Sequence, residues 1–176
     1  MKAFSVKITI CMLLTLTCSS LYSYPKLRLS PKKVRVNDYV GKWYEIARLP
    51  QFLLKGCKCP SSYYIKKKNH FHVISRCIKY GKPFRVDFKS YIVPNRGNKQ
   101  IHTVYWPFST KLHILFIDKN YKYAVSGSLD REDLWFISRR PYVSKSMFRK
   151  MLKVAKLNGF DTSKLIINDF KCPRNY

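Results

Sequence analysis

The chain has 176 residues, enough for one domain and short for two. Thirty-five Lys and Arg face nine Asp and Glu, a formal net charge of +26 that draws polyanions and acidic membrane surfaces toward the protein. The cations are scattered along the whole chain, with a local cluster at Lys66-Lys67-Lys68 and no finger, recognition helix or RNA-binding aromatic motif, so a dispersed solvated basic surface is expected rather than a nucleic-acid site.

Residues 1–23 read as a secretory signal peptide. Lys2 and Lys7 supply the positive region, Ile8 to Leu16 an apolar run too short to span a bilayer as a helix, and Ser19, Ser20 and Ser23 the small residues of a cleavage site. Cleavage is expected after Ser20 or Ser23. Two alternatives are a buried N-terminal helix and a lipid-modified Cys18, although Thr15-Leu16-Thr17 fits the lipoprotein cleavage pattern poorly. Export changes the meaning of the remaining cysteines, Cys57, Cys59, Cys77 and Cys172. An even number in an oxidising compartment points to two disulfides, and spacing alone leaves three pairings open. The competing zinc site is disfavoured because Cys57 and Cys59 are separated by one residue, whereas zinc pairs use two to four. His70 and His72 add no clear ligand geometry, so no metal is expected.

Residues 24–36, rich in Pro and Lys, read as an extended basic arm before a domain over 37–176. From Lys42 onward, short runs of Val, Ile, Tyr, Phe and Trp alternate with turn residues, the pattern of an antiparallel all-β domain. Strands are expected near 42–49, 61–67, 70–79, 84–93, 99–106, 111–118, 122–128 and 133–139. Lys68-Asn69, Gly81-Lys82-Pro83, Pro94 to Asn98, Pro107 to Thr110, Asp118 to Asn120 and Ser128 to Glu132 separate them. Eight strands in up-and-down order suit a closed barrel, which leaves no exposed edge. Ser144 to Asn158 breaks the pattern. Met147, Met151, Val154 and Ala155 recur at helical spacing, Ser144 can cap the start, and Gly159 sits where a helix ends. This basic amphipathic helix is expected to pack on its own domain, the alternative being a membrane surface. A ninth short strand is expected at 164–170.

A barrel of eight strands is either filled by its side chains or holds one small ligand. Tyr63, Tyr64, Phe71, Phe84, Phe88, Tyr91, Tyr105, Trp106, Phe116, Tyr123, Trp135 and Phe136 fall on the expected strands, and alternation sends part of this set inward. Composition and periodicity do not choose between a filled core and an aromatic-lined site.

Gly41-Lys42-Trp43 at the start of the first strand resembles the Gly-x-Trp signature of the lipocalin family. The longer stretch "YVGKWYEIARLPQFLLKG" is similar to its subgroup of bacterial lipocalins and apolipoprotein D. "DKNYKYAV", Asp118 to Val125, is similar to the second family motif, with its usual Thr-Asp-Tyr altered, and Arg139 in "LWFISRRP" matches the third. The helix and "NGFDTSKL" also match, so the resemblance runs from about Val36 to Cys172. It implies an eight-stranded antiparallel barrel with a C-terminal helix packed outside. It implies that Trp43 and Arg139 plug one end by a cation–π contact, with Gly41 giving the backbone room there. It also implies the pairings Cys57–Cys77 and Cys59–Cys172.

The resemblance places a ligand above the plug. Alternation puts Ile137, Trp135 and Asp133 on the face of Arg139, and Glu45 and Ala47 on the face of Trp43. Trp135 matches a cup-lining aromatic of the family. Glu45, a carboxylate in an apolar barrel, needs a partner. Tyr64, Phe88, Tyr105 and Ile137 complete the expected contacts, subject to register. The implied function is extracytoplasmic, periplasmic or secreted, carriage of a fatty acid, lysophospholipid or similar small hydrophobic ligand, without a cofactor, and with an anionic membrane surface as a further partner. The alternatives are a lipocalin-fold enzyme acting on a small lipid and a basic surface-binding protein with a filled barrel. Cys57, His102, His113 and Glu45 are reactive residue types, but their spacing defines no catalytic order, and no catalytic residue is assigned.

Overall fold

A computed structural model describes residues 24–31, 33–94, 99–105 and 107–172. Residues 1–23, the segment read as a leader, with Cys11 and Cys18, and Trp106 lie outside the described residues. The elements are α1 (Val36–Tyr39), β1 (Gly41–Arg48), β2 (Cys57–Lys66), β3 (Phe71–Lys79), β4 (Lys82–Ile92), β5 (Gln100–Tyr105), β6 (Phe108–Ile117), β7 (Tyr123–Gly127), β8 (Leu134–Ser138), α2 (Lys145–Leu157) and β9 (Ile166–Ile167). Strands β1 to β8 pair consecutively and antiparallel, and β1 pairs with both β8 and β2, which closes the barrel. Closure pairs both edges of this apolar sheet, and each wall strand then offers one face inward and one outward.

Three departures from the sequence reading have local causes. First, Ala47 does not share the face of Trp43. A bulge between Glu45 and Ala47 shifts the register against β8, so Ile46 and Ala47 both join the cluster beneath α2. Second, β6 begins at Phe108, inside the segment 107–110 read as a turn, and cross-strand pairing extends to Tyr105 opposite Phe108. Third, the ninth strand shrinks to Ile166–Ile167, which pairs with Ala47 and Arg48. Strand β1 pairs with β2 only over Gly41 to Tyr44, so β9 takes the place beside β1 that β2 leaves.

The apolar side chains form two clusters. One lies outside the wall, where Met151 and Ala155 of α2 pack on Ile46, Ala47, Leu115, Val125 and Phe136. Helix α2 starts where the Ser144 hydroxyl accepts from the Met147 amide at 3.2 Å, and it ends before Gly159, whose φ is +79°. Gly127 is required below it, because a Cβ there would meet the Phe160 ring at 2.3 Å. The other cluster fills one end of the barrel interior, with Val34, Tyr39, Trp43, Phe71, Ile114, Ile117, Tyr121 and Ala124. Residues 24–31 contain no helix or strand and bury Leu27 and Ser30, and the Ser30 amide donates to the Ile114 carbonyl at 3.0 Å.

Disulfides join Cys57 to Cys77 and Cys59 to Cys172. The first links the start of β2 to the end of β3, and the second ties the C-terminal tail back to β2. Among the described residues no helix is long and apolar enough to cross a membrane.

Candidate functional site

The barrel floor is built where β1 begins and β8 ends. Gly41 has φ +92°, a left-handed conformation that favours glycine, and a Cβ there would touch the Arg139 guanidinium at 3.4 Å. Trp43 follows, almost fully buried, and its indole N–H donates to the Tyr39 carbonyl at 2.9 Å. The Arg139 guanidinium lies over the indole with its carbon 3.8 Å from the ring centroid. It also donates from Nη1 to the Lys42 carbonyl (2.8 Å), from Nη2 to the Asp38 carbonyl (2.8 Å) and from Nε to the Tyr121 carbonyl (3.2 Å). The loop carrying Tyr121 is held by the Asp118 carboxylate, which accepts from the amides of Asn120, Lys122 and Tyr123. Three sequence motifs far apart in the chain therefore meet at one end and seal it. Tyr39 contributes a further ring 5.2 Å from Trp43 and 5.2 Å from Tyr64. Burial holds the Tyr39 phenol well above its ordinary pKa and pushes Tyr64 up to about 12. Burial also lowers the pKa of Arg139.

Above the floor the barrel is hollow, with a cavity of about 250 Å³. Trp135, Glu45, Tyr64, Phe88, Tyr105 and Ile137 all line it. The wall is otherwise mostly apolar, with Phe84, Val86, Ile101 and Leu112 prominent. Phe84 and Val86 share the parity of Phe88 on β4, so alternation could have found them. Tyr39 precedes the first strand, on a four-residue helix that no periodic signal announces.

Among the described residues lining the cavity, Glu45 and Arg76 are charged; Arg76 is exposed, whereas Glu45 is buried in the wall. Its carboxylate accepts from Arg48 Nη1 at 2.9 Å and from Asn168 Nδ2 at 3.0 Å. Arg48 is itself buried and donates from Nη2 to the Leu54 carbonyl at 2.7 Å. Asn168 reaches Glu45 because the bulge and β9 bring the tail against β1. Burial pushes the Glu45 carboxyl above its ordinary range, and Arg48, Asn168 and Trp135 oppose that shift by favouring the charged form. The Glu45 and Arg48 charges offset each other and give one wall of the cup a polar spot.

The other end of the barrel is open. Gln51 Nε2 and Thr110 Oγ1 both donate to the Asp133 carboxylate, at 2.5 and 2.6 Å, and this fixes the rim between the β1–β2 loop, β6 and β8. Asp133, which alternation sent into the cup, sits in this rim clasp instead. Cys57 is disulfide-bonded, and His102 and His113 do not line the cup. Among the described residues no group of His, Cys, Asp and Glu could hold a metal ion.

A closed antiparallel barrel with a sealed floor, an apolar interior and one open end is the architecture of a small-molecule-binding barrel. The chain belongs to the lipocalin family: the model of the lipocalin-like domain matches residues 34–169. It is 29% identical over 151 residues to a lipocalin of Acanthamoeba polyphaga mimivirus, covering 80% of this chain and 87% of that one. It is 30% identical over 133 residues to the outer membrane lipoprotein Blc of Escherichia coli, covering 73% and 75%. Among solved structures, lobster apocrustacyanin A1 superposes with a TM-score of 0.66 at 22% identity, covering 80% of this chain and 83% of that one.

Proposed function

We propose that this protein is an extracytoplasmic carrier that holds one small amphiphile, a fatty acid or lysophospholipid, with its tail in the cup. The observation that carries this reading is the apolar cavity of about 250 Å³ above the Trp43–Arg139 floor. Each methylene moved from water into such a wall contributes roughly 0.8 kcal/mol, so a long tail outweighs the entropy lost on ordering. Trp135, Phe88, Tyr105 and Ile137 contact the tail in this reading, and Tyr64 meets its end near the floor. Glu45, held by Arg48 and Asn168, supplies a hydrogen-bonding spot partway up the wall. The exposed Arg76 at the cavity mouth faces an anionic headgroup. Binding and release need no covalent chemistry.

Export is supported by the leader pattern over 1–23 and by two disulfides. It is also supported by similarity to proteins named as outer membrane lipoproteins. In this reading residues 24–36 form an arm that packs onto the binding domain over 37–176, with Leu27 and Val34 buried in its two apolar clusters. The direct test is a mass-spectrometric inventory of small molecules extracted from the purified protein. A stoichiometric single-chain lipid supports the carrier, and a clean extract with no fatty-acid uptake afterwards contradicts it.

A further inference from the structure

Several large apolar side chains stand in water around the open end. Phe52 is 89% exposed, with Leu53 beside it in the β1–β2 loop. Tyr80, 70% exposed, tops the β3–β4 turn, and Phe108, 60% exposed, opens β6 next to the half-exposed Tyr105. Solvent-facing aromatics clustered on one rim mark an interaction surface.

These tips are held in place. The Lys79 ammonium donates to the Leu53 carbonyl at 2.9 Å, and the Tyr80 ring sits where a Cβ on Gly56 would be, 2.4 Å from it. Cys57–Cys77 staples the same two segments immediately below. The apolar tips are therefore presented on a braced platform.

The surrounding charge has one sign. No acidic residue lies between Glu45 and Asp87, while Lys55, Lys58, Arg76 and Lys82 are exposed along that stretch. The rim is asymmetric, because the β7–β8 loop, which stands between the β1–β2 and β5–β6 loops and across from the β3–β4 turn, carries exposed Asp130 and Glu132.

We propose that the β1–β2, β3–β4 and β5–β6 rim docks mouth-down on an anionic phospholipid bilayer, with Phe52, Tyr80 and Phe108 entering the headgroup layer and Lys55, Lys58 and Lys82 facing lipid phosphates. Apolar tips with flanking lysines are the chemistry of an interfacial anchor. The acidic β7–β8 side is repelled, so the barrel tilts on the surface. A second copy is not the occupant, because two surfaces of the same strong positive charge repel. This deepens the carrier reading: a docked mouth exchanges its amphiphile with the bilayer without passing through water.

The test is co-sedimentation of the leader-free protein with vesicles of phosphatidylcholine alone or mixed with phosphatidylglycerol, at low and high salt. The wild type is expected on the mixed vesicles only, with binding weakened by salt. F52S/F108S is expected to lower partitioning about tenfold or more. K55Q/K82Q is expected to lower it by a similar factor and to flatten the salt dependence. The control K145Q/K153Q, which removes equal charge from α2, is expected to change it by less than about threefold. Equal binding to both vesicle types, equal loss from the α2 control, or no sedimentation of the wild type overturns the proposal. Uptake of a fluorescent fatty acid in vesicle-free buffer keeps the two readings apart. If docking alone is wrong, uptake persists without partitioning; if the cup is wrong, the wild type takes up nothing.

Discussion

Replacing Arg139 by Met tests the floor. The guanidinium makes three hydrogen bonds to main-chain carbonyls and covers the Trp43 ring at 3.8 Å. A hydrogen bond to a charged group is worth about 1.5–3 kcal/mol. The contact to Lys42 is exposed, so water replaces most of it, while those to Asp38 and Tyr121 are half-buried. Two such bonds at the low end, with about 1 kcal/mol of cation–π energy, put the loss near 4 kcal/mol. With a urea m-value of about 2 kcal/mol/M, the midpoint falls by about 2 M. Arg139→Lys keeps the charge but not the fork, and is expected to lose about half as much. Arg140→Met is the control, since Arg140 is exposed and its ring contact is to the exposed Tyr142, and it is expected to shift stability by less than about 0.5 kcal/mol. A loss below about 1 kcal/mol for Arg139→Met in equilibrium urea unfolding would refute the idea that this residue holds the floor together.

Cys172→Ser opens a loop with a sequence separation of 113 residues and is expected to destabilise by about 4–5 kcal/mol, against about 3 kcal/mol for Cys77→Ser, whose separation is 20. Urea unfolding under non-reducing conditions measures both. Glu45 is raised above its ordinary value by burial, so its contribution to stability is fully present below about pH 4.5 and declines as pH rises through the folded pKa. Glu45→Gln should flatten that decline in thermal unfolding recorded from pH 4 upward, and an unchanged profile would contradict the desolvated carboxylate. Asp87, lowered to about 2 by hydrogen bonding to Arg85, acts in the opposite sense. Its contribution is present above pH 3.8 and lost as pH falls toward 2. Tyr64 stays neutral until about pH 12, so its stabilising effect is complete below pH 10 and lost as pH rises between the two values. Tyr64→Phe removes that part of the alkaline unfolding, read from phenolate absorbance against circular dichroism.

The barrel was legible because its period is local. Alternating apolar residues broken by Gly, Pro, Asn and Asp located the eight wall strands to within a few residues, and the cap at Ser144 and Gly159 bounded α2. The same alternation assigned Trp135 and Ile137 to the cavity side of β8. It failed at Ala47 because one inserted residue reverses the faces of everything beyond it, and no residue type announces the bulge between Glu45 and Ala47. The partners of Glu45 were out of reach for a related reason. Arg48 turns toward Glu45 only because of that bulge, and Asn168 arrives from the far end of the chain through β9. Whether the barrel was hollow depended on summed side-chain volumes in three dimensions, which composition does not encode. The exposed rim was hidden for another reason: Phe52, Tyr80 and Phe108 all fell outside the expected strands, and only the closed barrel brings their separate loops to one end.

Isothermal titration of the delipidated wild type and of Val86→Trp with a single-chain fatty acid addresses the cup most directly. Val86 lines the cavity and is half-buried, so an indole there occupies the cup from inside without disturbing the floor. The expected result is one site on the wild type, at least tenfold weaker or lost in Val86→Trp, with urea stability changed by no more than about 1.5 kcal/mol. Equal binding by both proteins, or no heat and no uptake with the wild type, would show that the space above Trp43 does not hold lipid.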